Sequence, residues 1–339
     1  MTAVSGVIFI PDIILTVLNV FMALINYPVR LITIDEDRAD QRIDNFLISQ
    51  FKGVPKSFVY RILRKGEVRV NKKRIDQTYR LAAGDVVRLP PVKIEDNPVV
   101  VPSGGLTIVK QLGAAIIHET DEMLVINKPA GIAVHGGSGV EYGVIEALRS
   151  CRTDLHYLEL VHRLDRETSG CLMIAKKRSA LRNLHEQLRN KTVHKHYYAL
   201  VRGKWSNRVK FVDQPLLKNV LQSGERMVFV SRDGKPSKTL YEIVEEFSGA
   251  TLVQASPLTG RTHQIRVHCA YATHPIAGDQ KYGDRQFDSQ ISAATGLRRM
   301  FLHARSITFN DPATGKATTV TAELDEELQS VLDRLREQQ

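Results

Sequence analysis

A single carboxylate stands among cations in the stretch His162-Arg163-Leu164-Asp165-Arg166-Glu167-Thr168-Ser169-Gly170. Nearby positive charge favours the ionised form of a carboxyl, so Asp165 reads as a carboxylate at neutral pH. An ionised carboxylate can act as a nucleophile or as a general base, and both uses improve where apolar neighbours, here Val161, Leu164 and Leu172, keep water away. Glu167 is close in sequence, but no second acid stands beside Asp165 as in a glycosidase pair, so two-carboxylate hydrolysis has weak support. About a hundred residues on, Thr259-Gly260-Arg261-Thr262-His263-Gln264-Ile265-Arg266 supplies further arginines. A lone Asp–Arg pair is most often a surface salt bridge; two such runs together read as an active site.

Two other chemistries are weaker. His263, His268, Cys269 and His274 cluster, yet their spacing matches no standard zinc pattern and lacks the His-Glu-x-x-His glutamate, so no metal is expected. His135-Gly136-Gly137-Ser138-Gly139 is glycine-rich but has neither phosphate-loop nor dinucleotide spacing, and reads as a plain loop. Cys151, Cys171 and Cys269 are too few and too widely spaced for a disulfide framework, which fits a reducing cytoplasm.

The elements that must position these residues are those of an α+β protein. Met123 to Ile126 reads as a buried strand ending at the Lys128-Pro129 break, and Tyr197 to Val201 alternates as another strand. Ser179 is expected to cap a helix whose Leu181, Leu184 and Leu188 form the buried stripe. Asp233-Gly234 is a hairpin signal. Strands joined by hairpins with few helices between them favour a mixed, largely antiparallel sheet, in a catalytic domain spanning 112–335.

A second, smaller unit precedes it. The 339 residues carry a net charge of +10, and residues 38–90 alone hold 13 basic against 5 acidic side chains. That concentration points to a polyanionic partner. Ile43, Phe46 and Leu47 recur at helical spacing. A second helix over Pro55 to Lys65 puts Phe58, Val59, Ile62 and Leu63 on one face and Arg61, Arg64 and Lys65 on the other, with Gly66 stopping it. Lys56 at its start and the turn Lys72-Lys73-Arg74 after the Val68 and Val70 strand extend the cationic surface, which can track a phosphate backbone.

The proline- and glycine-rich stretch within residues 91–111 reads as a linker. Residues 1–34 form an apolar N-terminal extension. Ile13 to Val29 has no charged residue and reaches the short end of the roughly 17 to 25 residues that span a bilayer. Asp12, Pro11, Pro28, Asn19 and Asn26 interrupt or bracket it, and no secretory-signal pattern accompanies it. It is read as a poorly ordered extension or as sequence upstream of a start at Met22, with no stable membrane partner.

The longer pattern decides between bland and catalytic readings. His162-Arg163-Leu164-Asp165 with Thr168-Ser169-Gly170 resembles the signature of the RluA-type RNA pseudouridine synthases. Asn127-Lys128-Pro129-Ala130-Gly131 with Val134-His135 is similar to that family's first motif, Lys195-His196-Tyr197 through Ala199-Leu200-Val201 to its tyrosine motif, and Thr259 to His268 to its third. Arg42-Ile43-Asp44, Leu63-Arg64-Lys65-Gly66 and Val68-Arg69-Val70-Asn71 resemble the S4 RNA-binding domain. The resemblance runs from about Arg38 to the C-terminus. It implies an S4 domain followed by a synthase domain, and isomerisation of uridine to pseudouridine without metal or other cofactor. Asp165 would then be the nucleophile or base, Arg266 its ion-pair partner, Tyr197 a stacking group for the uracil and a proton shuttle late in the cycle, and Arg163 the side chain that fills the space of a flipped-out uridine. Lys56, Arg61, Arg64, Lys65, Lys72, Lys73 and Arg74 would grip RNA. Val134 to Gly139, Arg64 to Arg74 and Ser223 to Arg226 resemble the member acting on several uridines of 23S ribosomal RNA, so that RNA is the expected partner of a monomeric enzyme. A non-catalytic S4 protein, a base-removing glycosidase and a synthase of the same branch acting on other RNA sites are the rival readings.

Overall fold

Apolar spacing builds two units, Met1–Val99 and Val100–Gln339, and the computed structural model describes residues 24–51, 54–95, 107–136, 142–220 and 226–338. In the first unit the chain runs β1 (Leu24–Tyr27), β2 (Arg30–Thr33), α1 (Ile43–Gln50), α2 (Lys56–Arg64), β3 (Arg69–Val70), β4 (Val86–Leu89) and β5 (Val92–Glu95). Ile43, Phe46 and Leu47 of α1 and Val59, Ile62 and Leu63 of α2 are buried in one core with Val68, Val70, Val87 and Leu89. Helix α2 stops where the sequence requires. Gly66 takes φ +69°, the Glu67 N–H donates to Ile62 O and the Gly66 N–H to Leu63 O, which satisfies two carbonyls of the last turn.

This unit is larger than residues 38–90. Strand β2, inside the stretch read as an N-terminal extension, is antiparallel to β4 in a sheet of order β2-β4-β3. Strand β1 pairs with β5, inside the stretch read as linker. Alternation is the physical reason: Ile32 is half-buried and Ile34 buried while Leu31 and Thr33 are exposed, a period of two hidden within a hydrophobic run. Of the extension, residues 1–23, Met22 included, lie outside the described residues, as do residues 96–106 of the linker and Gly137 to Gly139 of the glycine-rich loop. No helix among the described residues is long and apolar enough to cross a membrane.

The second unit begins with α3 (Thr107–Ala114), which starts inside the expected linker and runs past its end, and continues through β6 (Ile116–Glu119), β7 (Met123–Lys128), α4 (Val144–Cys151), β8 (Glu159–Leu160), β9 (Ser169–Ala175), α5 (Arg178–Arg189) and β10 (His194–Arg202). There follow β11 (Phe211–Asp213), β12 (Leu216–Val220), β13 (Arg226–Val230), β14 (Lys238–Phe247) and β15 (Ala250–Pro257). Last come α6 (Gln264–Tyr271), α7 (Arg285–Thr295), β16 (Leu302–Asn310), β17 (Ala317–Thr321) and α8 (Glu326–Glu337). Ten strands form one sheet of order β11-β14-β15-β10-β16-β9-β7-β6, with β17 on β16 and β8 on β9. Its pairs are antiparallel except β16 with β9, so the sheet is mixed and largely antiparallel, as expected.

Two local expectations change. Helix α5 begins at Arg178 with Lys177 as its N-cap, so Ser179 lies inside the first turn and caps nothing; Lys177 leaves β9 already extended, at φ −136° and ψ 153°. Asp233-Gly234 makes a turn, but the strands on either side do not pair with each other. Strand β13 pairs with β12, whereas β14 pairs with β11 and β15. The turn presses against Leu216, where a Cβ on Gly234 would stand 2.5 Å from the carbonyl carbon.

The one parallel pair among the described strands places the Asp165 segment. Strand β16 meets β9 at His303 with Ser169 and Ala304 with Gly170, immediately after the Asp165 run. Gly170 has φ +105°, and a Cβ there would stand 2.3 Å from Ala304 O. Gly170→Ala is expected to cost roughly 3 kcal/mol, through backbone overlap added to an unfavourable φ, read as a lowered urea midpoint with unchanged slope.

Candidate active site

Asp165 lies in a turn between β8 and β9, closed by the Thr168 N–H donating to Asp165 O at 3.1 Å. Lys128, fully buried, holds this turn from the end of β7. Its Nζ donates to Pro129 O at 2.7 Å, Ile132 O at 2.9 Å and Arg166 O at 3.1 Å. Burial pulls its pKa down to about 7 against the opposing charges of Glu167 and Asp165, and the three carbonyls take one ammonium hydrogen each. Gly131 and Arg166 exchange further bonds, Gly131 N to Arg166 O and Arg166 Nε to Gly131 O. The end of the motif is architecture as well: Ser169 Oγ bonds His303 Nδ1 at 2.9 Å, and His303 Nε2 bonds Ala322 O.

Helix α6 brings the second run to Asp165. Arg266 Nη1 donates to Asp165 Oδ2 at 3.3 Å, while its Nε and Nη2 donate to the two oxygens of Asp279 at 2.8 and 2.7 Å. The Asp279 side chain is fully buried and that of Arg266 is 8 % exposed, so the pair is a two-pronged clamp in a dry environment. Burial alone would raise the Asp279 pKa, but the Arg266 bonds and charge overcome it and hold it below the usual carboxylate value. Asp279 Oδ1 also accepts the N–H groups of Lys281 and Tyr282. The Arg266 guanidinium lies 5.1 Å from the centre of the Tyr282 ring. His263, the N-cap of α6, places Nε2 3.9 Å from Asp165 Oδ2.

Tyr197, on β10 between β15 and β16, is 9 % exposed. Burial, with the charge of Asp165 adding to it, raises its pKa well above the phenol value, so the side chain is a neutral phenol across the physiological range. The structure therefore brings Asp165 and Arg266 into contact and sets Tyr197 within reach of the Asp165 charge. Arg163 is exposed and its side chain makes no hydrogen bond or ion pair among the described residues. In the first unit Lys56, Arg61, Arg64, Lys65, Lys72, Lys73 and Arg74 are all exposed. Arg61 covers the Phe58 ring at 4.7 Å, and Arg74 Nη2 donates to Arg64 O at 2.8 Å, tying the basic turn to the end of α2.

The histidine cluster is used otherwise. His268 Nδ1 bonds Thr239 Oγ1 and its Nε2 bonds Gln214 O, His274 Nδ1 bonds Arg202 O, and Cys269 Sγ donates to Tyr241 Oη. Sequence reasoning assigned no role to Lys128, His263, Asp279 or Tyr282. One signal was available: a buried arginine needs a buried acid, and Asp279 is the first acidic residue after Arg266.

Buried neutral imidazoles make stability depend on pH. His162 Nε2 accepts the Met173 N–H at 3.1 Å, and burial, aided by the Lys195 charge, pushes its pKa down to about 3. Burial lowers His268 and His303 in the same sense. Below about pH 6.5 the unfolded chain binds protons that the folded chain does not, so stability present above that pH is lost as pH falls through the window. The urea midpoint is expected to drop between neutral pH and about pH 5, and a substitution of His162 that preserves folding should flatten that dependence.

Comparison with known proteins identifies the family. A family model described as RNA pseudouridylate synthase matches residues 122–271, and an S4 domain model matches residues 41–87. The chain is 59% identical over 315 residues to ribosomal large subunit pseudouridine synthase C of Pasteurella multocida, covering 93% of this chain and 96% of the relative. To the protein of the same name from Escherichia coli K12 it is 58% identical over 309 residues, 91% of this chain and 97% of the relative. The solved structure of human RNA pseudouridylate synthase domain containing 4 superposes with a TM-score of 0.57 at 28% identity, over 68% of this chain and 95% of that one. A relative of this identity, matched over nearly its whole length, leaves one conclusion: the chain belongs to the RNA pseudouridine synthase family, with an S4 domain ahead of the synthase domain.

Proposed function

We propose that this chain isomerises uridine to pseudouridine at several positions of 23S ribosomal RNA, acting as a monomer in the cytoplasm, with Asp165 as the reacting group. The observation that carries the role of Asp165 is the clamp behind it. Arg266 is fixed by Asp279 on two nitrogens and offers the third to Asp165 Oδ2, which orients that carboxylate, while Oδ1 makes no hydrogen bond among the described residues.

The reaction breaks the N1–C1′ bond, turns the uracil, and joins C5 to C1′; N1 gains a proton and C5 loses one. Asp165 either adds at C1′ or takes a proton from C2′, and both begin from the same open Oδ1. A uridine within a helix must be flipped out at a cost of a few kcal/mol. Arg163, exposed beside Asp165 in sequence and unengaged, suits the vacated space. Tyr197 offers a neutral phenol, which stacks and donates a hydrogen bond but does not serve as a base at neutral pH. The cationic surface of α2 and the turn after β3 suit phosphate contacts that position the RNA.

The test is chemical mapping of pseudouridine in 23S ribosomal RNA from cells lacking the gene, complemented with the wild type or with Asp165→Asn. Sites lost in the deletion and restored only by the wild type are the expected result. A deletion that loses no site sinks the proposal in favour of a non-catalytic S4 protein, and release of free uracil would mark a glycosidase.

A further inference from the structure

Both nitrogens that face Asp165 approach the same oxygen. Arg266 Nη1 is 3.3 Å and His263 Nε2 3.9 Å from Oδ2. We propose that His263 is a second positioning residue for Asp165, held by Tyr282 as the neutral ring with its hydrogen on Nε2, so that Oδ2 is held from two sides and Oδ1 is left to react. This rests on the proposed role of Asp165.

The hydrogen positions follow from the partners. The Val228 N–H of β13 donates to Tyr282 Oη at 3.0 Å, so that oxygen is an acceptor there. The phenol has one hydrogen of its own, and His263 Nδ1, at 2.8 Å, is its only acceptor among the described residues. Given to Nδ1, that hydrogen leaves the one hydrogen of a neutral imidazole on Nε2, the atom nearest Asp165. The groups facing the ring are Asp165, Asp279, Arg266, Lys281 and Tyr282. Burial outweighs the two carboxylates and, with both cations, favours the neutral ring.

Geometry argues that the arrangement is built. His263 has φ +53°, a left-handed conformation that a non-glycine residue keeps only when its surroundings hold it there. Its ring meets the Tyr282 ring edge-on, with centres 5.6 Å apart at 66°. The same tyrosine carries the Arg266 guanidinium over its face, so one side chain braces both donors. A separation of 3.9 Å is too long for a hydrogen bond without RNA, and contacts of this kind tighten in the reacting complex.

The experiment is long-range proton–nitrogen correlation on the full chain labelled with nitrogen-15 histidine, the His263 signals being assigned by their loss in His263→Gln. A hydrogen on Nε2 and a bare Nδ1 at neutral pH are expected, and Tyr282→Phe should free the ring to titrate between about pH 5 and 8. A hydrogen on Nδ1, or a charged ring at neutral pH, overturns the proposal. Single-turnover isomerisation of a ribosomal RNA fragment supplies the second readout. His263→Ala is expected to slow the bound-state rate about 10- to 100-fold with the RNA Kd within about twofold, and His263→Gln, which keeps an N–H near the Nε2 position, to recover most of it. An unchanged rate in His263→Ala, or equal losses in both variants, also overturns it. The tautomer is read without turnover, so failure of this relay is distinct from failure of Asp165 as the reacting group, which Asp165→Asn decides.

Discussion

Asp165→Asn is expected to slow isomerisation by at least about 10⁴-fold, while RNA binding changes by no more than about twofold. The substitution keeps the shape of the side chain and leaves an amide oxygen for Arg266 Nη1. It removes the charge, and with it both uses open to the residue, since an amide neither adds at C1′ nor accepts a proton from C2′ at neutral pH. Folding should survive. The side chain is 28% exposed, and Arg266 retains its bidentate partner Asp279, so no buried charge is orphaned. Single-turnover assays with saturating enzyme separate the two quantities, the rate reporting chemistry and the enzyme dependence reporting binding. A variant that retains more than about a hundredth of the wild-type rate would remove Asp165 from the centre of the reaction.

Short-range chemistry was the legible part of this chain. Helix α2 could be read because its apolar face, basic face and terminal glycine lie within eleven residues, and Gly66 then takes the left-handed turn that only its position demands. Strands β7 and β10 were visible as apolar or alternating runs, Asp165 stood out because cations crowd one acid, and Arg266 was singled out by the family resemblance of its motif. What escaped depends on distance in sequence. Asp279 is marked only as the first acid after Arg266 until the chain folds back and seats it there, and nothing local marks Tyr282 as the partner of His263, nineteen residues earlier. Strands β1 and β2 escaped for another reason. An apolar run of this length reads as an extension, and only pairing with β5 and β4 reveals it as sheet. Asp233-Gly234 carried true turn chemistry, but turn chemistry does not say which strands will pair.

The clamp yields the second large effect. Removing Asp279 altogether would leave the buried Arg266 guanidinium with only its single ion-pair contact to Asp165, at a cost of about 3 to 5 kcal/mol, and any loss of activity would be confused with unfolding. Asp279→Asn is the sharper change. It fills the same space and keeps one acceptor oxygen, but it can no longer hold Nε and Nη2 together as an ionised fork. Arg266 then gains freedom to rotate, Nη1 drifts from Asp165 Oδ2, and a misplacement of about 1 Å at a reacting group can cost on the order of 100-fold in rate. That loss is expected in the single-turnover rate, with the RNA Kd nearly unchanged because the clamp is buried. Arg266→Lys should behave alike, since an ammonium cannot bind a carboxylate bidentately and also reach a third oxygen in a fixed plane. Because the two residues act as one device, the double variant should lose little more than the worse single variant. Full additivity of the two losses, or an Asp279→Asn protein as fast as the wild type, would mean that something other than this clamp aims Arg266 at Asp165.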